Sequence, residues 1–105
     1  MNEKQSRKQI NNSAEGKVYN YFKNKKYSIC LGKFISNDKG SPDFFIEKDN
    51  DKFWVEVKTR LGSLSCEQIE WMINYNDQKI FIAIVKEITN SLIKFVEIKA
   101  SEANL

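Results

Sequence analysis

From Gln9 to about Lys25 the apolar positions Ile10, Ala14, Val18, Tyr21 and Phe22 recur at three- and four-residue steps. That spacing predicts an amphipathic helix whose other face is rich in Lys and Asn. Asn11, Asn12 and Ser13 are the candidate caps of a shorter version. Tyr27 to Ser36 is rich in aromatic and β-branched residues and predicts a strand. Asn37 to Ser41 has the composition of a loop. Pro42, the only proline, opens the next strand, Asp43 to Glu47, where its missing N–H does little harm. Lys48 to Asp51 turns the chain, and Lys52 to Thr59 returns it.

Beyond a linker at Leu61 to Leu64, a second helix is expected from Ser65 to about Tyr75. Ile69, Met72 and Ile73 share one of its faces, with Trp71 beside them. Lys79 to Lys86 is a nearly continuous apolar run, of the kind that makes a strand buried on both faces. Thr89 to Ser91 is a turn, and Leu92 to Lys99 alternates as a last strand. The expected fold is α/β, in the order α-β-β-β-α-β-β, as one domain over residues 1–105 with loose tails at 1–8 and 100–105.

Composition narrows the chemistry. The 41% hydrophobic content fits a folded globule. Ile80 to Val85, the longest apolar run, is far short of a membrane span. The polar N-terminus does not read as a signal peptide, so a cytoplasmic protein with no membrane partner is expected. Cys30 and Cys66 are too few for a zinc site and read as small core or helix residues in a reducing compartment. With no histidine in the chain, Ser-His and Cys-His systems are excluded. Chemistry must run on carboxylates, lysines, hydroxyls or a metal. Residues 1–40 hold nine Lys/Arg against three Asp/Glu, and residues 41–105 hold eight against eleven. A basic first third fits a side facing a polyanion, and equally a solvated Lys-rich helix.

The stretch 40–58 gathers the candidate chemistry. Side chains two apart on a strand share a face, so Trp54, Glu56 and Lys58 point one way and Phe53, Val55 and Val57 the other. Asp43 shares that face with Glu56 if the hairpin loop has an even number of residues. A two-residue turn at Asp49-Asn50, or a four-residue loop from Lys48 to Asp51, sets Asp43 opposite Glu56. A turn at Asn50-Asp51 sets it opposite Lys58. Two facing carboxylates repel. A divalent cation would offset that repulsion, neutralise phosphate and acidify a bound water. Lys58 could orient that water or stabilise charge on the phosphorane.

Gly40-Ser41-Pro42-Asp43 followed by Val55-Glu56-Val57-Lys58 resembles the PD-(D/E)xK nuclease superfamily. The continuation from Thr59 to Met72, with Gly62, Leu64-Ser65 and Gln68, resembles its VRR-type (virus-type replication-repair) branch. The resemblance implies a restriction-endonuclease-like mixed sheet, Mg2+ or Mn2+, and DNA phosphodiester cleavage. It makes Asp43 and Glu56 metal ligands, completed by the Val57 carbonyl, and Lys58 the catalytic lysine. Glu15 matches an acidic residue of the first helix that reaches the metal directly or through water. Gln68 matches a glutamine on the helix after the lysine strand. Small members resemble Holliday-junction resolvases, which implies a homodimer acting on branched DNA. Cys66 stands where relatives often have proline, and Met72 where some have tyrosine.

Other readings stand beside these. Ser65 and Gln68 also fit a capping box. Glu15 also fits a surface residue paired with Lys. Trp54 and Trp71 fit packing better than base stacking. Lys17, Lys39 and Arg60 lie near the proposed centre and are candidate phosphate contacts. The rival functions are a non-cleaving nucleic-acid-binding module or nuclease subunit, an RNA endonuclease, and an interaction protein with a solvated charged face.

Overall fold

A computed structural model describes residues 13–59, 63–87 and 92–98. Arg60, Leu61, Gly62, the turn at Thr89 to Ser91, both expected tails and the start of the first expected helix lie outside these residues. The described chain is mixed α/β, with an open sheet of five strands in the order β1-β2-β3-β4-β5. Helix α1 (Ala14–Asn24) leads into β1 (Ser28–Leu31) and a 3-10 turn at Gly32–Phe34. Strands β2 (Phe44–Lys48) and β3 (Asp51–Lys58) form a hairpin. Helix α2 (Cys66–Asn74) crosses to β4 (Ile80–Glu87), which runs parallel to β3, and β5 (Leu92–Ile98) returns antiparallel.

Helix α1 starts at Ala14, later than the apolar period from Gln9 suggests, because Ser13 has extended backbone and caps the helix. Its hydroxyl accepts from the Gly16 N–H at 2.9 Å. Val18 and Phe22 then bury against Phe44, Ile46, Phe53, Val55, Val57, Ala83 and Val85, which makes one layer of core. The second layer lies on the other sheet face, where Trp54, Ile80, Ile82 and Ile84 meet Trp71 and Met72 of α2. Of the face that Ile69, Met72 and Ile73 share, Met72 is buried. Ile69 and Ile73 are 44% and 37% exposed, and Trp71 is 2% exposed. Bonds from Ser65 and Gln68 at the start of α2 turn the Trp71 side toward the sheet.

The strand expected from Tyr27 to Ser36 stops at Leu31. Two contacts end it: the Gly32 N–H donates to the Asp43 carbonyl at 2.7 Å, and the Gly32 α-carbon lies against Pro42. The chain then leaves the sheet as the 3-10 turn. Cys30 and Cys66 are free and exposed, so neither is a core residue. Cys30 sits on an edge strand and Cys66 in the first turn of α2. No helix among the described residues is long and apolar enough to cross a membrane.

Gly32 and Gly40 are structural requirements of the Pro-Asp segment. A β-carbon on Gly32 would meet the Pro42 oxygen at 1.8 Å. One on Gly40 would meet the Glu67 carbonyl oxygen at 2.2 Å, and Gly40 also has φ +83. Gly40→Ala is expected to cost about 1–3 kcal/mol from backbone strain alone, with the Glu67 clash added. Urea unfolding followed by circular dichroism measures it; an unchanged midpoint would contradict the packing described.

Candidate active site

The hairpin turn sets the site. Lys48 pairs with Asp51 and Phe44 with Val55, so the turn holds only Asp49 and Asn50. Asp49 takes φ 56 to make it. Of the three turn alternatives this is the two-residue one at Asp49-Asn50, and its register continues to Asp43 opposite Glu56. Asp43 lies one residue before β2, so its side chain is free to act where a strand would otherwise pair. The Val57 N–H donates to Asp43 Oδ2 at 2.8 Å. The carboxylate thus extends the ladder of β2 by one bond and is locked in orientation.

Glu56 is 3% exposed and is the buried charged residue among those described. Gln68 Nε2 donates to Glu56 Oε2 at 2.9 Å. Lys58 Nζ lies 3.6 Å from the same oxygen. The capping reading of Gln68 is realised, and the same side chain also reaches Glu56. Its Oε1 accepts from the Ser65 N–H at 2.8 Å while the Ser65 hydroxyl accepts from the Gln68 N–H at 3.1 Å, a complete capping box. One amide therefore ties the start of α2 to the carboxylate on β3.

Electrostatics agree with this crowding. Burial, then the Asp43 charge, pushes the Glu56 carboxyl from 4.5 up to about 8, with Lys58 opposing. Burial also raises Asp43, against the lowering pull of the Val57 N–H, Glu56 and Lys58. The two carboxyl groups are close enough that each shifts the other. Burial first, then the Asp43 charge, raises Glu15. Glu15 stands on the wall of an open cavity of about 500 Å³, with Ser13, Val57, Lys58, Thr59 and Ser63. The N-terminal turn of α1 thus reaches the same end of the sheet as that of α2. Helix N-termini favour negative charge there.

The structure therefore brings Asp43, Glu56, Lys58 and Gln68 into contact, with Glu15 on the cavity wall. Lys17 is half-buried on α1 and Lys39 exposed in the loop before Gly40; neither lines the cavity. Arg60 lies outside the described residues. Sequence reasoning missed the cavity-lining hydroxyls of Ser13 and Ser63 and the Val57 N–H, whose role depends on register rather than residue type.

The donor set fits a hard divalent cation. Mg2+ is usually held by one or two carboxylates with waters and a substrate phosphate. A pair of neighbouring carboxyls, both raised by burial, is such a donor set. Among the described residues no three His, Cys, Asp or Glu side chains are grouped so that they could hold a metal ion, so the donor set is this pair.

The family model described as the VRR-NUC domain matches residues 2–87. No curated protein matches the chain.

Two outcomes follow. The folded protein holds a proton on Glu56 from about pH 4.5 to about 8 that the unfolded chain releases. Stability must therefore fall as pH rises through that window. In EDTA the melting temperature should drop by on the order of 5 °C between pH 5 and 8, and Glu56→Gln should flatten the slope. Calorimetry at constant ionic strength checks this; a slope of opposite sign would refute the buried pair. Gln68→Ala loses both bonds and should cost about 1–2 kcal/mol in urea unfolding, against a near-neutral result for a solvated side chain.

Proposed function

The chain belongs to the VRR-NUC family of the PD-(D/E)xK nuclease superfamily, and from that premise we propose that it is a divalent-metal-dependent DNA endonuclease with a restriction-endonuclease-like core. The observation that carries the reading is the Asp43–Glu56 pair, Glu56 buried and Asp43 half-buried, with Lys58 Nζ 3.6 Å from Glu56. Asp43 and Glu56 would hold Mg2+ or Mn2+, with the Val57 carbonyl and waters completing the shell and Glu15 reaching it through water. When bound, the cation neutralises the scissile phosphate and lowers the pKa of a water.

The remaining work falls to the chain. The Val57 N–H fixes one Asp43 oxygen, which leaves the other oxygen to face the substrate side. Gln68 fixes Glu56 in the same way. Lys58, half-buried between Glu56 and the open cavity, orients the attacking water and compensates charge that develops on the phosphate. Glu56 is the group that must lose its proton for the site to charge, so cation binding should tighten as pH rises.

The same reading takes branched DNA as the substrate and a homodimer as the acting form. Its support is an uncovered apolar strip. Ile69 and Ile73 are one turn apart on α2, and Leu92 of β5 is 58% exposed. Strand alternation points Leu92 to the same side as Val96 and Ile98, which pack beside α2.

Labelled Holliday junction, flap, plain duplex and RNA are incubated with Mg2+, Mn2+ or EDTA. Cutting of branched DNA is expected with metal and not with EDTA. Glu56→Ala and Lys58→Ala are each expected to lower the rate by about 100-fold or more. Metal-dependent cutting that survives both substitutions would overturn the assignment. Cutting of RNA alone would move the substrate class, and binding without cutting under every metal would make the protein a binding module.

A further inference from the structure

A second cavity, of about 470 Å³, lies on the α2 side of the sheet. Phe45, Trp54, Trp71 and Tyr75 form its aromatic walls, and the loop carrying Asn37 and Asp38 closes one side. The rings are held in place. Trp54 and Trp71 meet edge to face at 4.9 Å, and Tyr75 stacks on Trp71 at 4.3 Å. Trp54 Nε1 donates to Gln78 Oε1 at 3.4 Å, Trp71 Nε1 donates to Ser36 Oγ at 3.3 Å, and the Tyr75 hydroxyl donates to Asp38 Oδ2. Trp54 and Trp71 are buried, so they serve as walls, while Phe45 and Tyr75 are half-buried and offer ring surface to the cavity. The loop is pinned at both ends by Gly32 against Pro42 and Gly40 against Glu67. The cleft is preformed.

We infer that this cleft receives an unpaired nucleobase of the substrate strand beside the cutting centre. Three observations carry it. Pockets of this size with aromatic walls and a few placed polar groups suit a flat ligand, and bases stack on such rings with little regard to sequence. Asn37 and Gln78 carry amides and Asp38 an acceptor, which match the donor and acceptor edge of a base. Trp54 and Phe45 face each other across the hairpin one pleat before Asp43 and Glu56. At two residues along a strand that is about 7 Å, roughly two stacked base steps in a duplex strand. Lys33, with its Nζ 5.4 Å from the Phe34 ring, and exposed Lys39 flank the loop, placed for the backbone phosphates. The inference rests on the nuclease reading for its substrate and adds that the strand must present an unstacked base near the cut.

The test is run in EDTA, so it does not depend on cutting. The chain's only two tryptophans both line this cleft, so intrinsic fluorescence reports its occupancy. Short single-stranded DNA is compared with the same strand carrying an abasic site at each position in turn. Quenching with about tenfold or more higher affinity for base-bearing DNA is expected. Asn37→Ala and Tyr75→Leu should both bring that ratio towards one. Equal affinity for intact and abasic strands would overturn the inference, because it means a grip on phosphates alone. So would a ratio that neither variant moves while both melt cooperatively. If Tyr75→Leu fails to fold, exposed Asn37→Ala decides. Base-dependent binding with no cutting of any substrate would leave this inference standing and remove the nuclease reading.

Discussion

The two-residue turn at Asp49-Asn50 is the constraint on which the site depends. A strand has a side-chain period of two, so a turn one residue longer or shorter would send Asp43 to the opposite face from Glu56. With the observed register both carboxyls lie on the α2 side, at the open end of the hairpin. The repulsion this creates is contained by fixed partners: the Val57 N–H on Asp43, and Gln68 and Lys58 on Glu56. Burial, with the Asp43 charge added, pushes the Glu56 carboxyl up to about 8, so the pair favours holding a proton. The arrangement is stable with a proton and suited to a cation, which is the property a hydrolytic centre without histidine requires.

The rest of the fold holds that register. Phe44, Ile46, Phe53, Val55 and Val57 bury beneath α1, and Trp54 buries beneath α2, so a slip of the hairpin would expose both layers together. The parallel β3–β4 pair makes α2 a crossover helix, which brings its first turn over the end of β3. Gln68 is thereby a structural cap and a site residue at once. Gly32 and Gly40 let the loop between β1 and β2 lie against Pro42 and Glu67. The same loop then closes the aromatic cleft, so the two cavities share their framework.

Much of this was legible in the sequence, for specific reasons. Two apolar runs, Phe44 to Ile46 and Phe53 to Val55, flank a polar turn, so the hairpin was legible, and the period of two along a strand put Glu56 and Lys58 on one face. The short motifs around Asp43, Glu56 and Lys58 carried the family, which the match over residues 2–87 bears out. Other features were not legible. The stop of β1 at Leu31 depends on a tertiary contact between Gly32 and Pro42 that no local propensity encodes. The rotation of α2 is tertiary: Gln68 reaches Glu56 and Trp71 buries, which leaves Ile69 and Ile73 exposed. The aromatic cleft joins Phe45, Trp54, Trp71 and Tyr75 from three elements, and only the assembled sheet brings them together.

The central claim is that Asp43 and Glu56 form one cation site whose proton is displaced on binding. Titration calorimetry of Mn2+ into the metal-free protein at pH 7, in buffers of different ionisation heat, addresses it directly. The account predicts about one proton released per ion bound, with both binding and release lost in Asp43→Asn and in Glu56→Gln. Binding without proton release, or binding that survives both substitutions, would contradict it.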